Sequence, residues 1–168
     1  MTAVLVGSAG VSWGADFQKG FAAAQRGDFV TALREWEPLA EQGHASAQYN
    51  LGLMYNKGLG VPQDYKAAVK WYRLATEQGH ASAQGNLGKM YAKGQGAPQD
   101  NIYAHMWWNI AASTGLKTAI KNRDIVAKRM TPSQLKKAQD LARECVRKKY
   151  KGCLNQDTEA FLGHGILT

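Results

Sequence analysis

The chain has 168 residues, of which 45% are hydrophobic and 20% are charged, a composition ordinary for a soluble globular protein. It contains no apolar run of about 18 residues or more, so the sequence does not predict an integral membrane protein. The formal net charge of +8 is concentrated in one segment, because residues 116–152 carry 12 Lys and Arg against 3 Asp and Glu.

The first 15 residues are uncharged and mostly small or apolar. This pattern predicts the apolar region and cleavage zone of a secretory signal peptide, cut near Gly14 or Ala15. No basic residue precedes the apolar run, so the predicted signal peptide is incomplete, and a floppy N-terminus is the alternative. We therefore expect a periplasmic or secreted protein.

Residues 44–79 and 80–115 are two copies of one unit, identical at 20 of 36 aligned positions. A period of this length is typical of solenoids, in which stacked units bury a core that no single unit could bury alone. In the first copy, Ala47, Leu51 and Tyr55 recur at the spacing of an amphipathic helix, and the second half of the unit has a similar stripe. Each unit is therefore predicted to be a helical hairpin.

The two helices of each hairpin are joined by K-G-L-G-V-P-Q-D in the first copy and K-G-Q-G-A-P-Q-D in the second. The paired glycines permit positive φ, and Asp64 and Asp100 are predicted to cap the helices that follow. Gly52 and Gly88 lie beside the apolar stripe of the first helix. They are predicted to let the second helix approach closely, because they carry no side chain.

The order A-Q-x-N-L-G-x-M-Y-x-K-G-x-G-x-P-Q-D, followed by Ala and then W-Y or W-W, resembles the Sel-one-like repeat. That family is related to the tetratricopeptide repeat and has a longer loop inside each hairpin. The resemblance implies an all-α protein, an α/α solenoid of about four helical hairpins that serves as a platform for assembling other proteins. It implies no cofactor and no enzymatic activity.

Degenerate copies on both sides extend the predicted solenoid to residues 16–151. Residues 16–43 form a first pair with a short turn, and residues 116–151 form a fourth pair that has diverged. The last helix is predicted to begin with a capping box formed by Thr131 and Gln134. Residues 152–168 are assigned to a C-terminal tail.

The tryptophans of the second helices are more readily explained by packing than by ligand stacking. Trp36, Trp107 and Trp108 fall at or beside the large apolar position of these helices and are predicted to be core residues. Trp71 is predicted to be partly exposed.

Cys145 and Cys153 are the only cysteines. A continuous helix through both would separate their Cα atoms by about 12 Å, too far for a disulfide. A bond therefore requires the helix to end between them, and Gly152 can take the left-handed conformation of a helix C-cap. The even count and the predicted export favour a disulfide, and the alternative is one buried and one exposed thiol.

No arrangement of residues predicts a catalytic site or a metal site. His44 and His80 occupy turn positions one period apart, and His105 is predicted to be a packing or surface residue. Ser133 and Lys136 match the S-x-x-K of penicillin-recognising serine enzymes, but no S-D-N motif accompanies them, and capping explains Ser133. A cell-wall or penicillin-binding protein with weak β-lactamase-like hydrolase activity is the alternative hypothesis.

In tetratricopeptide-like stacks the first helix of each hairpin lines a concave groove. The residues predicted to line this groove are Tyr49, Leu53, Asn56, Lys57, Lys89, Lys93, Lys121, Ile125, Lys128 and Arg129. A cationic groove suits an extended acidic peptide, a C-terminal carboxylate or an anionic polymer, whereas the alternative is that the lysines only solubilise an exposed face. We expect a monomer that binds a protein or peptide, and no nucleic acid, because no aromatic residues interleave with the charges.

Overall fold

The computed structural model describes residues 14–153, so the predicted signal peptide up to residue 13 and the tail from residue 154 lie outside the described chain. Within it the fold is all-α, with eight helices and no strand, as predicted. The helices are α1 (Phe17–Gln25), α2 (Phe29–Glu41), α3 (Ala45–Lys57), α4 (Tyr65–Thr76), α5 (Ala81–Lys93), α6 (Asn101–Ala112), α7 (Lys117–Ala127) and α8 (Pro132–Arg147). None of these helices combines the length and apolarity needed to cross a bilayer.

The helix starts follow the predicted capping chemistry. The Asp64 carboxylate accepts hydrogen bonds from the backbone N–H groups of the first turn of α4, and Asp100 does the same for α6. Thr131 and Gln134 form the reciprocal capping box at the start of α8. These contacts satisfy N–H groups that have no partner inside the helix, and they fix where each helix begins.

Each of the first three hairpins is closed by an aromatic ring lying on a glycine of the preceding helix. The pairs are Gly20 with Trp36, Gly52 with Tyr72, and Gly88 with Trp108. A Cβ atom on Gly52 would lie 2.5 Å from the Tyr72 ring, which is closer than van der Waals contact allows. The predicted close approach at Gly52 and Gly88 is confirmed.

The long loops hold successive hairpins together. Gly60 and Gly96 are the second glycines of the two loops, with φ of 69° and 70°. Gly60 lies against Phe29 and Gly96 against the backbone of Tyr65, so each loop covers the start of the second helix in the hairpin before it. The glycines therefore serve both the left-handed backbone and the contact between hairpins.

The core runs through the stack in two clusters, one centred on the first hairpin and α3, the other on α4 to α8. Trp36, Trp107 and Trp108 are buried in it and Trp71 is partly exposed, as predicted. His105 is also buried, which makes it a packing residue.

The last helix departs from the sequential arrangement. From α1 to α7 each helix packs on the next, but the main contact of α8 is with α6. Its small buried residues Ala138, Ala142 and Cys145 form the contacting stripe. The outer face of α7 is consequently exposed, including Ile125 at 43%.

Cys145 and Cys153 form a disulfide, with Cα atoms 5.1 Å apart. The bond is possible because α8 ends at Arg147 and the chain then turns back through left-handed residues that include Gly152, as predicted. The turn reaches the second hairpin: the Tyr150 ring lies against Gly79. Lys151 Nζ is 3.8 Å from Glu77 Oε2 in the same region.

Reducing this disulfide should lower the free energy of unfolding by about 2 to 3 kcal/mol, because closing a loop of this length lowers the conformational entropy of the unfolded chain by a corresponding amount. Thermal unfolding with and without dithiothreitol measures the effect. A Cys153→Ser variant is the control, and it should unfold at the same temperature under both conditions. A wild-type midpoint that does not move on reduction would contradict the prediction.

Candidate functional site

A polar depression of about 260 Å³ lies between α5 and α7. Helix α5 supplies Ser82, Gly85, Asn86 and Lys89. The remaining lining residues are Tyr49, Trp108, Leu116, Thr118, Ala119 and Asn122. Helices α3, α5 and α7, each the first helix of its hairpin, thus contribute to one surface. Helix α6, the second helix of the third hairpin, supplies the base of this surface through Trp108.

The depression exists because the two repeats differ at its centre. Gly85 occupies the position of Tyr49 in the preceding copy, and Lys89 occupies that of Leu53. At this position the first copy therefore has a large aromatic ring, and the second copy has no side chain. The indole N–H of Trp108 donates to the Gly85 carbonyl oxygen at 2.9 Å, which holds this backbone in place.

One wall of the depression is held in position by stacking and burial. The Tyr49 ring stacks on His80 with centroids 4.7 Å apart, and its hydroxyl interacts with the Asn86 amide. Burial raises the pKa of Tyr49 and, more strongly, that of Tyr72 behind it. Both phenols therefore stay neutral at physiological pH, and this wall carries no charge.

The remaining polar groups of the depression are open to an incoming ligand. Among residues 14–153, no hydrogen bond or ion pair engages the side chains of Ser82, Lys89, Thr118 or Asn122. Its described lining residues include no carboxylate, and the ammonium group of Lys89 is the only charged group among them. The site therefore offers one cation surrounded by hydroxyl and amide groups.

Of the ten residues predicted to line a groove, only Tyr49 and Lys89 line this depression. Leu53 is partly buried against the core, and the Asn56 amide contacts the Met90 sulfur at 3.3 Å. Asn56 therefore contributes to the contact between the second and third hairpins, and the binding role of both residues stays a prediction.

The other six predicted residues lie at helix ends or on α7, the first helix of the fourth hairpin. Lys57 and Lys93 are in the last turns of α3 and α5, where a cation also stabilises the helix C-terminus. The remaining four, Lys121, Ile125, Lys128 and Arg129, are all exposed and lie on α7 or just after it.

Sequence reasoning missed Ser82, Gly85, Asn86, Thr118 and Asn122. Of these, only Gly85 had a signal in the alignment of the two repeats. A position that is aromatic in one copy and glycine in the next marks a surface where one copy fills a space that the other leaves open.

The S-x-x-K motif has no active-site geometry. Ser133 is exposed in the first turn of α8, and Lys136 Nζ is held by Asp140 Oδ2 at 2.9 Å. A serine nucleophile needs a base within hydrogen-bonding reach, and this lysine is engaged elsewhere. Within residues 14–153, no group of three or more His, Cys, Asp and Glu could hold a metal ion.

His80 has a structural role beyond the predicted turn position: its Nδ1 caps α5 by accepting the Ala83 N–H at 3.3 Å. Burial lowers the pKa of His80 below its ordinary 6.5. The folded state therefore favours neutral imidazole, and its stabilising effect is complete above pH 6.5 and is lost as the pH falls from there toward the folded-state pKa. Protonation removes the acceptor and places a positive charge at a helix N-terminus.

We expect the free energy of unfolding to fall between about pH 7.5 and pH 5, and His80→Asn to reduce this loss, since Asn caps without titrating. Urea unfolding at both pH values measures the difference. Part of the loss should remain in the variant, because burial also lowers the pKa of His105. An equal loss in wild type and variant would contradict the assignment to His80.

The family model described as Sel1 repeat matches the chain twice, at residues 45–80 and 81–116. These bounds lie one residue from those of the two copies read from the sequence. No curated protein sequence matches the chain significantly.

Two solved structures share the fold. One is a protective antigen present in uropathogenic Escherichia coli strains that displays an SLR fold; the TM-score is 0.74 at 30% identity, over 80% of this chain and 30% of that chain. The other is a Sel1 repeat protein from Oxalobacter formigenes, with a TM-score of 0.65 at 24% identity, over 88% of this chain and 60% of that chain. This chain spans less than two thirds of either.

Sel1 repeat proteins are generally protein-interaction scaffolds. The chain combines two matched repeats with an all-helical stack of hairpins whose similar structures have the SLR fold. It therefore contains two Sel1 repeats within an α/α solenoid of the SLR fold.

Proposed function

We propose that this protein is a non-enzymatic scaffold or adaptor of the bacterial envelope, which binds a peptide or protein on the surface formed by α3, α5 and α7. The observation that carries the proposal is the polar depression between α5 and α7, whose described lining residues include Lys89 and no carboxylate. A cation at the edge of a depression that holds no described carboxylate attracts an anionic partner, because the low-dielectric protein beside it focuses its field.

The exposed charges of α7 support an acidic partner. Lys121 and Lys128 lie on this helix and at its end, and neither forms an ion pair with another described residue. With Lys89 they give the first helices of two successive repeats exposed positive charge, which we propose acts as one cationic surface. Such a surface steers an acidic chain toward the groove and increases the rate of association.

A location outside the cytoplasm agrees with the disulfide between Cys145 and Cys153, since such bonds persist in oxidising compartments. The apolar N-terminal sequence points the same way. We therefore place the protein in the periplasm or outside the cell, acting as a monomer.

Reversing the charges of Lys89, Lys93 and Lys128 to Glu should reduce partner capture about tenfold or more, because an acidic partner would then meet repulsion. Capture from a periplasmic extract, quantified by mass spectrometry against wild-type protein, measures the effect. Circular dichroism should show the same helical content as wild type, since all three residues are exposed.

The matched control reverses Lys70, Lys137 and Arg147, three exposed residues of α4 and α8 outside the proposed surface. It changes the net charge by the same amount and should leave capture close to wild type. Equal capture by wild type and both triple variants would place the interface elsewhere on the molecule.

A further inference from the structure

The first helices of the two matched repeats are nearly identical, and most of their differences lie at the depression. Between residues 44–57 and 80–93 the two copies differ at three positions, and two of these differences open and charge the depression. They are Gly85 in place of Tyr49 and Lys89 in place of Leu53. The third, Ala92 in place of Asn56, lies outside the depression.

The available groups match a small anion with several acceptor oxygens. The Lys89 ammonium supplies a positive charge at one side, and the Asn122 amide and Thr118 hydroxyl lie on the facing helix. The N-cap residue of α7, Leu116, provides no side-chain cap, and Leu116, Thr118 and Ala119 of the first turn line the depression. A carboxylate accepts hydrogen bonds from all of these donors, and charge-assisted bonds of this kind are the stronger ones.

We propose that the depression between α5 and α7 is a binding site for a carboxylate group carried by the partner. The inference rests on the proposed function and names the chemistry that the surface recognises. Lys89 supplies the charge and Gly85 the space, while Tyr49 forms a neutral wall that limits the site to a small group. The preceding repeat has no such site, because Tyr49 fills the corresponding space.

Three small probes test the proposal on the full chain without a known partner. N-acetylglutamic acid α-amide carries only a side-chain carboxylate, N-acetylalanine carries only a terminal carboxylate, and N-acetylglutamine α-amide carries none. Backbone amide shifts in two-dimensional NMR report binding. We expect saturable shifts at Gly85, Lys89 and Asn122 with a carboxylate probe, with a Kd of about 1 to 20 mM, and none with the neutral probe.

The decisive variant is Gly85→Tyr/Lys89→Leu, which copies Tyr49 and Leu53 from the preceding repeat onto α5. A Cβ atom on Gly85 would lie 3.2 Å from the end of the Leu116 side chain, so that flexible side chain must shift slightly to admit the tyrosine. The double variant should weaken carboxylate binding about tenfold or more. Lys89→Leu alone, at an exposed position, gives a second variant whose fold is not at risk.

Lys70→Leu is the matched control, because it removes an equal charge at an exposed position of α4, outside both the depression and the proposed cationic surface. Its probe affinity should equal that of wild type. Binding of either carboxylate probe supports the proposal, and the stronger of the two identifies an acidic side chain or a chain terminus as the source.

Equal shifts with the neutral probe, or carboxylate binding unchanged in both Lys89 variants, would overturn the proposal. The absence of saturable shifts would overturn it too. Partner capture that depends on the cationic surface would then still support the scaffold, so the two proposals can fail separately.

Discussion

Replacing Gly96 with Ala should reduce the free energy of unfolding by about 3 to 5 kcal/mol, more than a turn glycine usually contributes. Gly96 has a φ of 70°, which disfavours any residue with a Cβ atom. A Cβ atom there would also lie 2.1 Å from the carbonyl oxygen of Tyr65. Because that neighbour is backbone at the start of α4, the loop and the preceding hairpin would have to separate.

Gly115→Ala separates the two causes. Gly115 has a similar φ of 86°, but a Cβ atom there would meet nothing within 4 Å. Replacing Gly115 with Ala should lower the free energy of unfolding by about 1 to 2 kcal/mol, because only the unfavourable positive φ contributes. Chemical denaturation of wild type and the two alanine variants measures both losses. Equal losses would show that the contact between loop and hairpin contributes little.

The second large effect is expected at Trp108, where replacement by Ala should lower the free energy of unfolding by about 3 to 5 kcal/mol. The side chain is 6% exposed and lies on Gly88, in the contact between α5 and α6. Its removal leaves a cavity beside a helix that has no side chain there to fill it. Denaturation by urea, followed by circular dichroism, gives the loss directly.

Trp108→Phe keeps most of the volume and removes the indole N–H that donates to Gly85. It should cost about 1 to 2 kcal/mol, since it mainly loses one hydrogen bond to a buried carbonyl. A loss as large as that of the alanine variant would mean that the hydrogen bond, and not the packing, holds the two helices together. An alanine variant that loses less than the phenylalanine variant would contradict both arguments.

The fold could be predicted from the sequence because the chain contains two similar copies of one structural unit. Two aligned copies separate the positions that every hairpin needs, such as Gly52 and Gly88 or Asp64 and Asp100, from those that vary. Capping, glycine contacts and apolar spacing act within one hairpin, so local sequence is enough to read them.

Two features depend on contacts between distant parts of the chain and were not predicted. The packing of α8 on α6 is set by how the small stripe of α8 fits a neighbour that is not adjacent in sequence. The depression depends on Thr118 and Asn122 facing α5. Both follow from the diverged last repeat, where the periodic pattern no longer specifies the partner.

The contact of Tyr150 with Gly79 changes how the array should respond to stress. In most solenoids each repeat feels only its nearest neighbours, so opening can begin at an end and spread one repeat at a time. Here the turn closed by the disulfide touches the junction between the second and third hairpins. Unfolding from the C-terminal end must first break the contact between Tyr150 and Gly79. We therefore expect slow amide exchange from α4 through α8 as one cooperative block. Exchange in α1 and α2 should be faster.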